Sequence, residues 1–201
     1  MKLYYSPLAC SLADHIALRE AGFAFDLERV DLKTHHTETG RDFREVSAKA
    51  YVPVLVLDEG EVITENVAVL DWIATTAPSL AVESALGRTR VLEALTFITT
   101  EIHHGFKPMW HGGSVDERSK ASAKVTALFN HLAPSLKGDY LFGDTPSVAD
   151  FYLFVMLLWA ERFEVITPEP LQALRAQMMT RPAVRAAMVY EGLLSGEDAT
   201  S

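Results

Sequence analysis

The chain has 201 residues, 49% hydrophobic and 22% charged, enough to bury roughly 70% of its unfolded surface in one large or two small domains. Its formal charge is −9, from 27 acids against 18 bases, which opposes binding to a nucleic-acid backbone. The most apolar stretch, Phe151 to Ala160, is far short of the roughly 20 residues that cross a bilayer. A single cysteine and no basic-then-apolar leader point to the cytoplasm.

Lys2–Tyr5 reads as a short strand, broken by Pro7. Leu12, Ile16 and Arg19 follow at helical spacing, so a helix is predicted over Ser11–Ala21, with Gly22 as a left-handed cap. Phe25–Val30 is a second strand, Lys33–Gly40 a polar loop, and Arg41–Val46 a short helix. Val54–Leu57 and Val62–Thr64 flank Asp58-Glu59-Gly60, the signature of a hairpin. Helical spacing returns over Asn66–Ala77 through Val69, Trp72 and Ile73. This order predicts a four-stranded mixed sheet with helices on its faces, an α/β domain over residues 1–78.

Residues 79–86 read as a linker, and 87–201 as an all-helical domain. Val91, Leu95, Ile98 and Ile102 form one helical stripe, which Pro108 ends or kinks. Val125, Leu128, Leu132 and Leu136 form a second. Gly138, Gly143 and Pro146 punctuate a connection, and Ser147-Val148-Ala149-Asp150 matches a capping box. The helix behind it is apolar almost all round and belongs in the middle of a bundle. Two shorter helices are expected over 169–180 and 182–191, and Glu191 to Ser201 reads as a loose tail.

Cys10 carries the first chemical signal. It stands where the first helix begins, beside unsatisfied backbone N–H groups and the positive end of the dipole, both of which favour a thiolate. An inert buried thiol is the competing reading. As the only cysteine it has no intramolecular partner, so thiol chemistry here needs a second sulfur from elsewhere. Pro53 begins an apolar strand, and Glu65-Asn66 opens a helix, where an anion can bind or a plain cap can sit. His103 shares a polar helix side with Thr96, Thr99 and Thr100, which on its own reads as a solvated face. No metal cluster, phosphate loop or serine-hydrolase elbow is apparent.

Four segments in order, KLYYSPLACSLADHIALREAG, YVPVLVLDEGEVITEN, FITTEIHHGFKP and TPSVADFYLF, resemble the cytosolic glutathione S-transferases, most closely the bacterial beta class. The resemblance implies a thioredoxin-like N-terminal domain, a helical C-terminal domain, and glutathione as co-substrate without a metal. It implies that Cys10 and His103 are catalytic and lie near the glutathione sulfur. Val52 and a cis Pro53 would pair with the cysteinyl part, Glu65 and Asn66 would take the γ-glutamyl group, and His35 the glycyl carboxylate. Thr100 and Glu101 would reach glutathione across a homodimer interface. Asn66 replaces a usual Ser or Gly, His35 and His104 usual lysines, and Thr96 an Asn. The expected activity is detoxifying transfer of glutathione to a small hydrophobic electrophile. A glutathione-dependent reductase, peroxidase or dehalogenase, or a non-catalytic scaffold, are the alternatives.

Overall fold

A computed structural model describes residues 1–195, which form two compact units. The first comprises Met1–Leu80 and the segment from Thr180 onward, and the second Ala81–Met179.

The first unit opens with β1 (Lys2–Tyr5), α1 (Ser11–Glu20), β2 (Asp26–Asp31) and β3 (His36–Thr37). A 3₁₀ turn at Phe43–Glu45 precedes β4 (Val54–Val56), β5 (Val62–Thr64) and α2 (Asn66–Thr76). The strands make a thioredoxin-like sheet in the order β3-β2-β1-β4-β5, with β1 and β2 parallel and the remaining pairs antiparallel. The sheet therefore has five strands rather than four. The extra strand lies in the segment expected to be a polar loop, and pairs Val30 with Thr37 and Asp31 with His36. It is two residues long and sits at the edge, so it carries no apolar alternation to betray it.

Alternation does place the rest. Tyr4, Val30, Phe43, Val52 and Val54 form one buried cluster at the sheet. Helix α1 packs on β1, on α2 and on the last helix among the described residues, Pro182–Tyr190, which returns to this unit. Every residue from Ser11 to Leu18 is buried as a result. Glu191, expected in a loose tail, is buried just beyond that last helix, because its carboxylate has partners in α1 and in the loop before it. Residues 196–201 of that expected tail lie outside the described residues.

The second unit is helical: α3 (Gly87–Phe97), a π-helical segment Ile98–His103, a short α4 (Lys107–Trp110), α5 (Val115–Leu132), α6 (Val148–Arg162) and α7 (Glu169–Met179). Pro182–Tyr190, the last helix among the described residues, is thus α8. Val91, Leu95, Ile98 and Ile102 are all buried, as their spacing requires. In α5 the inward residues are Ala121, Val125, Phe129 and Leu132, so the buried stripe runs through Phe129 instead of Leu128. Leu136 falls beyond the helix, after a 3₁₀ turn at Ala133–Ser135 that contains Pro134. No helix among the described residues is long and apolar enough to cross a membrane.

Helix α6 is buried at every position from Val148 to Ala160. Its start is closed by Asp150, whose Oδ2 accepts from the Ser147 N–H and Oγ, each at 2.8 Å, while Oδ1 accepts from the Leu141 N–H at 2.8 Å. Burial pushes the Asp150 carboxyl up to about 6 even so. Asp150→Ala leaves the Ser147 and Leu141 donors buried without an acceptor. It should lower unfolding free energy by about 2–4 kcal/mol in urea titrations followed by circular dichroism, and a loss below about 0.5 kcal/mol would show the cap to be dispensable.

Candidate active site

The loop before α1 is held from several directions. Ser11 is fully buried, and its Oγ accepts the Ser6 N–H at 3.2 Å and lies 3.4 Å from the Ser6 carbonyl. Leu8 has a positive φ of 59°, and its N–H donates to Glu191 Oε2 at 3.1 Å. Cys10 follows, half-buried, and its Sγ lies 3.5 Å from the Val52 carbonyl, the thiol acting as donor. The Cys10 and Ser11 N–H groups and the Asn66 amide favour a thiolate there, as the helix start predicts. Burial outweighs them and, with the Asp14 charge, pushes the thiol up to about 12. Cys10 is therefore a protonated thiol at neutral pH, against the sequence expectation.

The Val52–Pro53 peptide bond is cis. It leads into β4 and sets the Val52 carbonyl toward Cys10. At the start of α2, Glu65 adopts φ 73°, a left-handed conformation that costs a non-glycine residue of order 1–3 kcal/mol and tends to occur at functional sites. Its side chain is exposed and pairs with Lys49, which also donates to Thr64 Oγ1 at 3.1 Å. The Glu65 carbonyl takes the N–H groups of Ala68 and Val69, so those of Asn66 and Val67 stand at the helix start.

Asn66 itself faces inward. Its Nδ2 donates to the Cys10 carbonyl at 2.9 Å and to Asp14 Oδ2 at 3.0 Å. Asp14 is fully buried and, through that burial, its carboxyl lies well above the ordinary range. Asp14 Oδ1 and Asn66 Oδ1 are both buried without a protein partner. Cys10, Val52 and Asn66 are thus joined by hydrogen bonds, with Pro53 and Glu65 as their chain neighbours. His35 stands apart from this group, beside β3 with φ 57°, its carbonyl accepting the Phe43 N–H at 2.8 Å. Its Nδ1 is buried and has no protein partner. The adjacent His36 Nδ1 is 2.9 Å from the Thr34 carbonyl.

The second unit carries Thr100, Glu101 and His103 on the π-helical segment, a departure from α geometry that is frequent at functional sites. Thr100 Oγ1 donates to the Thr96 carbonyl at 3.0 Å, and Glu101 pairs with Lys124 at 3.2 Å. His103 Nδ1 is 2.6 Å from the Tyr152 hydroxyl, and its ring meets Trp159 edge-on at 4.9 Å. Burial, with a smaller effect of His104, pushes His103 down to about 4, so it is neutral at pH 7. Trp110 and Phe106 also pack against Trp159, so these aromatic rings form one cluster.

Sequence reasoning missed three of these groups. Asp14 gave no signal beyond its spacing of four from Cys10 on one helix. Tyr152 was visible only as a phenol in an otherwise apolar helix, and a buried phenol needs a hydrogen-bond partner. Lys49, the partner of Glu65, gave none.

A mixed sheet with a cysteine at one helix start, hydrogen-bonded to the start of a second helix, defines a thioredoxin-like unit joined in one chain to a helical unit. Residues 9–76 match the family profile of the glutathione S-transferase N-terminal domain, and residues 92–182 that of the C-terminal domain. Glutathione S-transferase GstA of Escherichia coli O157:H7 is 36% identical, over 96% of this chain and 100% of that protein. A sphingomonad glutathione S-transferase solved in complex with glutathione is 42% identical, covering 96% of this chain and 100% of its own, with a TM-score of 0.89. A bacterial beta class enzyme from Sphingomonas chungbukensis is also 42% identical over the same shares, with a TM-score of 0.88. The chain belongs to the glutathione S-transferase family.

His103 has a folded value below its usual 6.5, so keeping it neutral stabilises the protein above pH 6.5, and that contribution is lost as pH falls through 4. His103→Gln should therefore flatten the decline in stability across that window when urea midpoints are measured against pH. An unaltered slope would show that this imidazole takes up its proton equally in both states.

Proposed function

We propose that the chain catalyses attack of the glutathione thiolate on small hydrophobic electrophiles. Family membership supports this reading, and one observation carries it: Cys10, Val52 next to the cis Pro53, and the start of α2 are tied into a single hydrogen-bonded group. The γ-glutamyl carboxylate suits the Asn66 and Val67 N–H groups at the positive end of α2, and its ammonium suits the exposed Glu65 carboxylate, shared with Lys49. Val52 offers main-chain groups to the cysteinyl residue as a neighbouring strand would. His35 is assigned the glycyl carboxylate, with a buried Nδ1 still lacking a protein partner.

The Cys10 proton gives this assignment a mechanism. When the substrate's main chain takes the Val52 carbonyl, the Cys10 S–H loses its acceptor and becomes a donor for the substrate sulfur. A donor at that sulfur stabilises the thiolate by roughly 1.4 kcal/mol for each pKa unit it lowers. The thiol proton leaves to bulk water, and His103, neutral and held by Tyr152, is assigned the orienting role that the resemblance implies. The sulfur's electron pair then forms the carbon–sulfur bond while the electrophile's leaving group departs with its own pair. The relatives at 35% and 36% identity carry transferase names, which does not favour the reductase, peroxidase, dehalogenase or scaffold readings.

Thr100 and Glu101, accessible on the π-helical segment, are assigned to a second copy's ligand, which makes the functional unit a homodimer. The cytoplasm and a detoxifying role are the setting expected for it.

Calorimetric titration with reduced glutathione should show saturable binding of one molecule per chain, and no binding at millimolar concentrations would overturn the reading. Cys10→Ala should slow conjugation about tenfold or more, the scale of one hydrogen bond to a charged group, and should abolish any mixed disulfide with glutathione. Complete loss of conjugation, with a covalent adduct on the parent protein during turnover, would instead make Cys10 the nucleophile. Sedimentation at micromolar concentration should give a dimer, and a monomer would remove Thr100 and Glu101 from the site.

A further inference from the structure

Asp14 and Asn66 form a buried polar pair that the assignments above leave without a function. Asn66 is buried in spite of standing at a helix start, and its amide nitrogen is committed twice within the protein, to the Cys10 carbonyl and to Asp14 Oδ2. A side-chain nitrogen so occupied is not available to a substrate carboxylate. The resemblance had implied a ligand at this position, and the geometry leaves only the Asn66 main-chain N–H for that task.

The pair also spans two elements. Asp14 lies one helical turn beyond Cys10 on α1, and Asn66 is the first residue of α2. The fork from Asn66 therefore fixes the spacing between the α2 N–H groups and the Cys10 backbone. Both remaining side-chain oxygens, Asp14 Oδ1 and Asn66 Oδ1, are buried and unpartnered, which is costly and rare in a group with a merely structural task.

We propose that Asn66 and Asp14 are positioning residues, which lock the carboxylate-binding start of α2 to the Cys10 thiol and set how readily that thiol ionises. This rests on the assignment of Cys10 and α2 to one site under the proposed function. The two members act in opposite senses. The Asn66 amide, whose Nδ2 donates to the Cys10 carbonyl, favours the thiolate, whereas an ionised Asp14 opposes it. The other charged group that bears on Asp14 is Glu191, from the segment after α8, while α2 contributes the neutral Asn66 amide.

Cys10 is the only cysteine, so alkylation by iodoacetamide reports on it alone. The rate is measured against pH for the full-length parent, Asp14→Asn, Asn66→Gly and Asn66→Ser. Near-isosteric Asp14→Asn should alkylate about threefold faster at a given alkaline pH, and Asn66→Gly about threefold slower, as half-unit shifts of the thiol in opposite directions require. Asn66→Ser, which keeps a donor, should recover part of the parent rate, and it replaces the glycine variant if that one fails to fold. Superimposable profiles for Asp14→Asn and either Asn66 variant, or shifts of the same sign in both, would overturn the proposal. Calorimetry with reduced glutathione on the parent protein is read separately. Opposite alkylation shifts in a parent that binds no glutathione would retain the coupling of the pair to the thiol and reject the site assignment instead.

Discussion

Helix α1 is buried along nearly its whole length, and the polar groups it carries inward decide what surrounds it. Asp14 and His15 are consecutive and fully buried. Neither can be left without partners at a cost of less than about 1–3 kcal/mol, so each recruits a segment distant in sequence. Asp14 takes Asn66 at the start of α2. His15 Nε2 accepts from Arg19 Nε at 2.7 Å, which makes its Nδ1 the protonated nitrogen and donor to Glu191 Oε1 at 2.9 Å. Burial, with the Arg19 charge, pushes His15 down to about 3, in keeping with a neutral ring. Burial also pushes Glu191 up to about 8. That rise persists although a donor faces each of its oxygens, the Leu8 N–H at Oε2 and His15 Nδ1 at Oε1. One side of α1 thus fixes α2 and the other fixes the C-terminal segment, and the loop bearing Cys10 is clamped between those demands.

The second unit follows the same rule with different residues. Helix α6 is enclosed from Val148 to Ala160, and Asp150 and Tyr152 within it act as ties. Asp150 closes the turn before the helix through Leu141 and Ser147. Tyr152 reaches His103. The π-helical segment adds residues per turn relative to an α-helix, so Thr100, Glu101 and His103 are displaced around the axis from where α spacing would put them. Gly105 follows, where an added Cβ would lie 2.7 Å from Val125 Cγ2, so the chain leaves this segment in close contact with α5.

The periodic parts of this architecture were legible. Strand β1, the β4–β5 hairpin, α1, α2 and the enclosed α6 follow from alternation, turn residues and a capping box, because each has a buried face that the sequence must supply. Strand β3 was not legible, since two polar edge residues bury almost nothing. Nor was the role of Glu191, whose value depends on a histidine far away in sequence. The site divides likewise. Cys10 could be placed at a helix start from local spacing, whereas the inward turn of Asn66 depends on Asp14 lying opposite it. A capping residue and an inward tie look identical in sequence, and only the fold decides between them.

The state of Cys10 shows why local rules alone misjudge a reactive residue. A helix start contributes about 0.3–1 kcal/mol to an anion, and at most about 2 in favourable geometry. Removing a charge from water can shift a pKa by 3–5 units, or more than about 4 kcal/mol. Desolvation therefore wins at Cys10 and leaves a thiol where position alone predicted a thiolate. A thiol in that state is a poor resting nucleophile but a usable donor, weak toward a carbonyl and stronger toward a thiolate. Its acceptor in the free protein is the Val52 carbonyl, the group an incoming peptide-like substrate would engage. The chemistry best suited to this arrangement makes the substrate's sulfur the anion and leaves the protein's own sulfur protonated beside it. That is the division of labour conjugation needs, whereas disulfide exchange begun by the protein would need the reverse.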